Sequence, residues 1–146
     1  MRLRLLPVAF VLALFAAACG GGDDGDQGTP TGSGATTVNV ELKDFAITPE
    51  VSSATPGEVT FSATNAGPSE HELVVIKTDM APDQLPVEGG AAEESGTDLE
   101  AIGEIGEFAS GGTETATFDL AAGNYVLICN VPGHYQSGMA VGFEVA

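Results

Sequence analysis

Cations are scarce in this sequence. Lys and Arg number four among 146 residues, against 21 Asp and Glu, and two of the four are Arg2 and Arg4 at the very start. Lys43 and Lys77 are the whole cationic complement of the remaining chain. Binding a phosphate backbone needs a basic surface, so nucleic acid is excluded as a partner. A basic soluble partner is compatible, drawn in by the opposite field; so is the plainer reading that the charge keeps a surface protein dispersed. Cysteine and histidine are as rare, two of each. Cys19 lies near the N-terminus, which leaves Cys129 without an intramolecular disulfide partner. A lone thiol in an oxidising compartment is a liability unless it is buried or bound to something. No long amphipathic helical pattern and no internal repeat is visible, and the length has room for one folded domain.

The first residues, MRLRLLPVAFVLALFAAAC, carry Arg2 and Arg4, then an apolar run over residues 5–15, then small residues before Cys19. That is the charged, apolar and small-residue order of an export signal. A transmembrane helix wants about 20 apolar residues, and here the run is shorter, with a Gly- and Asp-rich stretch directly after it. Ala16-Ala17-Ala18-Cys19 resembles the lipobox of bacterial lipoproteins, with Ala16 where leucine is usual; an ordinary Ala-x-Ala cleavage rule is also met. Lipidation of Cys19 is favoured because GGGDDGDQGTPTGSGATT has nothing large enough to pack and reads as a flexible tether. The expected organisation is a signal over residues 1–18, a tether over 19–35 and a folded domain over 36–146. Such a protein is exported and held by its lipid at the outer face of the cytoplasmic membrane or in the periplasm.

From residue 36 the texture is β. TTVNVELK alternates small or polar residues with Val38, Val40 and Leu42, and VTFSA alternates in the same way. HELVVIKT is a compact apolar run with β-branched residues, as in a strand buried on both faces. TETATFDL, NYVLICN and MAVGFEVA complete the set, the last with Val141, Phe143 and Val145 on one face. Residues 78–110 break the pattern with glycine, proline and acidic residues; a helical turn is expected at 98–102 and a strand at 105–108. Short strands separated by turn residues predict an all-β antiparallel sandwich or barrel.

One stretch concentrates the rare residues. CNVPGHYQSGM places Cys129, His134 and Met139 at five-residue steps between two strands, with turn signals at Pro132-Gly133 and Ser137-Gly138. All three sit on one loop and can converge. A thiolate, an imidazole and a thioether are soft donors that suit copper in both oxidation states. A trigonal copper site with a weak axial methionine needs one more imidazole, and the one further histidine is His71, at the start of HELVVI. Taken singly each has a plainer reading: a strand-end histidine as a polar cap, a buried cysteine as a small hydrophobe, a methionine as core. Together they use every histidine and the only cysteine of the domain.

With these residues in view, the chain resembles the blue (type 1) copper proteins of the cupredoxin superfamily over roughly residues 36–146. The resemblance is carried by NAGPSEHELVV and YVLICNVPGHYQSGMAVGFEV. The Cys-x4-His-x4-Met loop is most similar to auracyanin- and rusticyanin-type members, and CNVPGH to the azurin loop. It implies a Greek-key β-sandwich holding one copper, with His71, Cys129 and His134 as equatorial ligands and Met139 as the long axial one. Many members have asparagine directly after the first histidine, where this chain has Glu72, which cannot donate the same side-chain hydrogen bond. The Val131 N–H is similar in place to the azurin group that bonds the cysteine sulfur.

The implied function is one-electron transfer, between redox partner proteins, by a monomeric carrier. His134 faces outward as the electron exit, ringed by Val131, Pro132 and Tyr135. The competing reading is a copper storage or delivery protein, which ordinarily uses several exchangeable methionines or histidines where this loop has one methionine. Multicopper oxidases and copper nitrite reductases need further histidine-rich centres that two histidines cannot build. An enzyme is therefore not expected.

Overall fold

The computed structural model of the chain describes residues 35–146. The expected signal, Cys19 and nearly all of the tether lie outside the described residues. From residue 36 the chain forms β1 (Thr36–Lys43), β2 (Ala46–Pro49), β3 (Ser53–Ala54), β4 (Gly57–Asn65) and β5 (His71–Lys77). It continues through β6 (Val87–Glu88), β7 (Ala91–Ala92), β8 (Glu100–Phe108), β9 (Thr113–Leu120), β10 (Gly123–Ile128) and β11 (Ala140–Val145). Among the described residues the one helical element is a short 3-10 turn, Tyr135–Ser137.

Two sheets form the sandwich, one ordered β2-β1-β4-β9 and the other β3-β11-β10-β5-β8. The chain crosses between them from β2 to β3, β3 to β4, β4 to β5, β8 to β9 and β9 to β10, and two pairs, β1–β4 and β3–β11, run parallel where an antiparallel sandwich was expected. Period-two alternation decides which side chains face inward. Val38, Val40 and Leu42 of β1 and Val59, Phe61 and Ala63 of β4 meet Leu73, Val75, Tyr125, Leu127, Phe143 and Val145 of the facing sheet. Phe61 stands edge-on to Phe143, ring centroids 5.3 Å apart, joining the two layers at mid-core.

The segment between β5 and β9 has a structural task that its composition hides. Its hairpin β6–β7 and the flanking turns carry Leu85, Ala92 and Leu99 onto the outer face of the second sheet. There they form a second apolar cluster with Val74, Ile76, Val126, Ile128 and Tyr135. This is why HELVVIK reads as doubly buried: the sandwich covers one face of β5, and its own following segment covers the other.

The helical turn expected at residues 98–102 is not formed, and the strand expected at 105–108 is the end of the longer β8. A three-residue spacing of Ile102, Ile105 and Phe108 hides the strand's alternation, while Leu99 precedes the strand and packs on the outer face. In β8 that spacing comes from two bulges against β5. His71 pairs with Phe108 but Leu73 with Ile105, and Val75 pairs with Gly103 but Ile76 with Ala101. Each bulge inserts an extra residue, so inward positions recur every third residue instead of every second. Gly103 sits at the second bulge, where a β-carbon would stand 2.6 Å from the Phe118 ring. The close approach of β8 to β9 therefore requires glycine there.

Candidate metal centre

The donors gather at one end of the sandwich because of strand pairing. β5 and β10 run antiparallel, Ile128 beside Val74, which brings the start of β5 next to the end of β10. His71 is the first residue of β5, and Cys129 follows the last residue of β10. The loop beyond Cys129 folds back on itself. Cys129 N–H donates to the Met139 carbonyl at 3.1 Å, and Met139 N–H donates to the His134 carbonyl at 3.1 Å. His134 N–H donates to the Val131 carbonyl at 2.8 Å, and Gly138, in the left-handed region at φ 105°, closes the 3-10 turn. His71, Cys129 and Met139 are fully buried, and His134 is partly exposed.

Three donor atoms face one another. His71 Nδ1 lies 3.2 Å from His134 Nδ1. Cys129 Sγ is 3.4 Å from His134 Nδ1 and 3.7 Å from His71 Nδ1. The point equidistant from atoms at these separations is about 2.0 Å from each, close to the roughly 2.0–2.3 Å of first-row metal bonds to imidazole and thiolate. One donor atom from each of the three residues lies within 4.8 Å of the other two. Met139 is buried in the same core cluster as Cys129, and its backbone is tied to both neighbouring donors.

The electrostatics of the pocket favour a cation. Burial pushes the Cys129 thiol up; the nearby backbone N–H groups of Glu72 and Val131 oppose this, and the Glu72 and Glu107 carboxylates add to it. Burial also holds His71 below its ordinary value, with Asp44 opposing and His134 reinforcing. Burial thus holds the Cys129 thiol protonated and His71 neutral, and a metal ion, whose charge deprotonates a coordinating thiol outright, would satisfy both.

Around the donors lies a second layer. The Val131 N–H is near enough to the sulfur to favour its thiolate, in the sense that the azurin-like loop implied. Glu72 does not leave the two ligand segments unlaced: its Oε1 accepts from the Asn130 backbone N–H at 2.9 Å. Burial pushes the Glu72 carboxyl up, the Asn130 N–H opposes this, and Glu104, Glu107 and Glu94 raise it further. The Asn130 side chain reaches the covering segment, accepting from Ala92 N–H at 2.7 Å and donating to Ala92 O and Glu94 Oε1 at 3.0 and 2.7 Å.

Two positions differ from the sequence reading. Tyr135 is not part of an outward patch; it is buried in the second cluster, and its Oη accepts from Leu85 N–H at 2.8 Å. In its place beside His134 stands Phe45, half exposed and edge-on to the imidazole at 5.7 Å between centroids. Sequence reasoning also missed Asp44, whose Oδ1 lies 2.9 Å from His71 Nε2. That approach is bent, leaving Nε2 without a well-aligned acceptor. Burial pushes the Asp44 carboxyl up, but the Ser69 hydroxyl and His71 outweigh it and hold the group below its usual range. Asn65 was missed as well: fully buried, it accepts from Gly67 N–H and donates to the carbonyls of Ser69 and Phe108. The one available signal for these residues was the asparagine opening NAGPSEH.

A family profile described as the sulfocyanin (SoxE) domain matches residues 52–146, a span that includes His71, Cys129, His134 and Met139. Among solved structures, auracyanin from the photosynthetic bacterium Roseiflexus castenholzii superposes with a TM-score of 0.55 at 26% identity, covering 77% of this chain and 98% of its own. Auracyanin A, a "blue" copper protein from Chloroflexus aurantiacus, gives 0.55 at 22% identity, covering 77% and 100%. An azurin from Methylomonas sp. strain J gives 0.52 at 18%, covering 76% and 98%. At those identities the last two speak for the fold. No curated protein sequence matches the chain.

Proposed function

For this chain, which belongs to the sulfocyanin (SoxE) domain family of cupredoxins, we propose one-electron transfer by a mononuclear type 1 copper centre. His71, Cys129 and His134 would hold the ion, with Met139 as the weak axial donor. The copper supplies reversible exchange of a single electron between Cu(II) and Cu(I). The observation that carries this reading is the triangle of two imidazole nitrogens and one thiolate sulfur, sized for metal bonds before any ion is added.

The residues of the chain do the rest. Buried, hydrogen-bonded donors cannot rearrange much, so they suit two oxidation states with little reorganisation. His134 gives the only partly exposed edge of the trio, and Phe45, Val131 and Pro132 flank it as a small apolar rim for a partner. The acidic balance fits partners that are basic. Sealed donors favour a carrier over a copper storage or delivery protein, which must release its cargo. Export, lipidation at Cys19, attachment to the outer face of the cytoplasmic membrane and a monomeric state complete the proposal.

The test is the visible absorption spectrum of residues 19–146 after addition of Cu(II). An intense thiolate-to-copper band that disappears in Cys129→Ser supports the centre. A pale spectrum in the unsubstituted protein removes the electron-carrier reading.

A further inference from the structure

Asp44 lies on the turn between β1 and β2, on the opposite sheet from His71, yet its carboxylate reaches the far nitrogen of that ring. Three features hold it there. Its Oδ1 is 2.9 Å from His71 Nε2, and its other oxygen accepts from Ser69 Oγ at 2.9 Å. The gap through which it reaches exists because residue 67 is glycine: a β-carbon there would stand 2.8 Å from both Asp44 Oδ1 and His71 Nε2 and 3.0 Å from Asp44 N. Gly67 is itself fixed, its N–H donating to Asn65 Oδ1 at 3.0 Å and its carbonyl accepting from Ser110 Oγ. Although the approach is bent, the negative charge beside Nε2 favours the imidazole proton on that side, which leaves the lone pair on the other nitrogen. That nitrogen is Nδ1, which faces Cys129 Sγ and His134 Nδ1.

We propose that Asp44 is a positioning residue for His71: it fixes the Nε2–H tautomer and ring orientation, and its negative charge lowers the reduction potential of the copper centre. The proposal rests on the copper reading above. A carboxylate in contact with a ligand ring stabilises the more positive oxidation state, Cu(II), more than Cu(I), so neutralising it raises the potential.

The experiment compares the full chain with Asp44→Asn, Gly67→Ala and Glu70→Gln. Glu70 is an exposed carboxylate next in sequence to His71, and its removal measures the general effect of one lost charge. The potential is expected to rise clearly in Asp44→Asn and to move little in Glu70→Gln; in Gly67→Ala, where a β-carbon crowds the carboxylate and the ring alike, the His71 contact itself should be disrupted. In the metal-free protein, nitrogen NMR of the imidazoles should show His71 as the Nε2–H tautomer, and that population should fall in Asp44→Asn. A shift in Asp44→Asn no larger than that in Glu70→Gln overturns the charge effect. An unchanged His71 tautomer overturns the positioning role, and this readout stands even if a variant binds copper poorly. Absence of the thiolate band in the unsubstituted protein is a different failure, that of the copper reading itself.

Discussion

Glu72 Oε1 accepts a hydrogen bond from the backbone N–H of Asn130 at 2.9 Å. The residue after one candidate donor thus grips the residue after another, and the two segments are laced by an acceptor where many relatives of this fold use a donor. The bond crosses the β5–β10 pair at the end where the donors meet.

Glu72→Gln keeps an oxygen acceptor at this position, and Glu72→Ala does not. The alanine variant should shift the thiolate-to-copper band and lose roughly 1 kcal/mol of stability, the lower end of the cost of stranding an N–H that is only part-buried. The glutamine variant should restore the band position. Absorption spectra and thermal melts of the pair decide it.

Asn130→Ala strips three hydrogen bonds to Ala92 and Glu94 at once. Because Ala92 is buried, its N–H and carbonyl are left unpaired. Each orphaned group costs roughly 1–3 kcal/mol. The ligand loop then loses its hold on the covering segment. Copper should transfer to an external chelator several-fold faster, as read by decay of the visible band.

Gly103→Ala places a methyl group 2.6 Å from the Phe118 ring at a β8 bulge. Overpacking of this kind costs about 1–3 kcal/mol. The melting temperature should drop while the visible band keeps its position, because Gly103 pairs with Val75, well along the strand from His71. A neutral outcome would mean that β8 and β9 separate easily.

Electron exchange with a basic soluble cytochrome should slow steeply as ionic strength rises toward about 0.15 M, where fields are screened beyond roughly 8 Å. With an acidic acceptor the salt dependence should reverse. Stopped-flow rates over a salt series test this. Phe45→Ala, which bares the His134 edge, should alter the rate at all salt concentrations without altering the slope.

Much of this could be read from the sequence, for physical reasons. Period-two alternation in TTVNVELK and VTFSA places inward residues directly, and the donors were legible because cysteine and histidine are so rare here. Where a bulge resets the period, as in β8, alternation gave way to a spacing that imitates a helix. Asp44 was illegible for a different reason. It acts across the sandwich on a residue 27 positions away, and nothing in KDF marks the aspartate as different from the other acidic residues. Tyr135 was misplaced because its sequence position beside His134 says nothing of the segment that folds over it.

The meeting of His71 with Cys129 joins residues 58 positions apart, whereas Cys129, His134 and Met139 are near neighbours along the chain. Before the strands have paired, copper already finds a short soft-donor peptide carrying three of the four groups. After pairing it finds all four. A metal that also binds the unfolded chain stabilises the folded one by less than its affinity implies. Copper should therefore raise the melting temperature only modestly for a site of this tightness. Supplied too early, it would compete with strand pairing, so refolding should run more cleanly when the ion is withheld until the sandwich has closed.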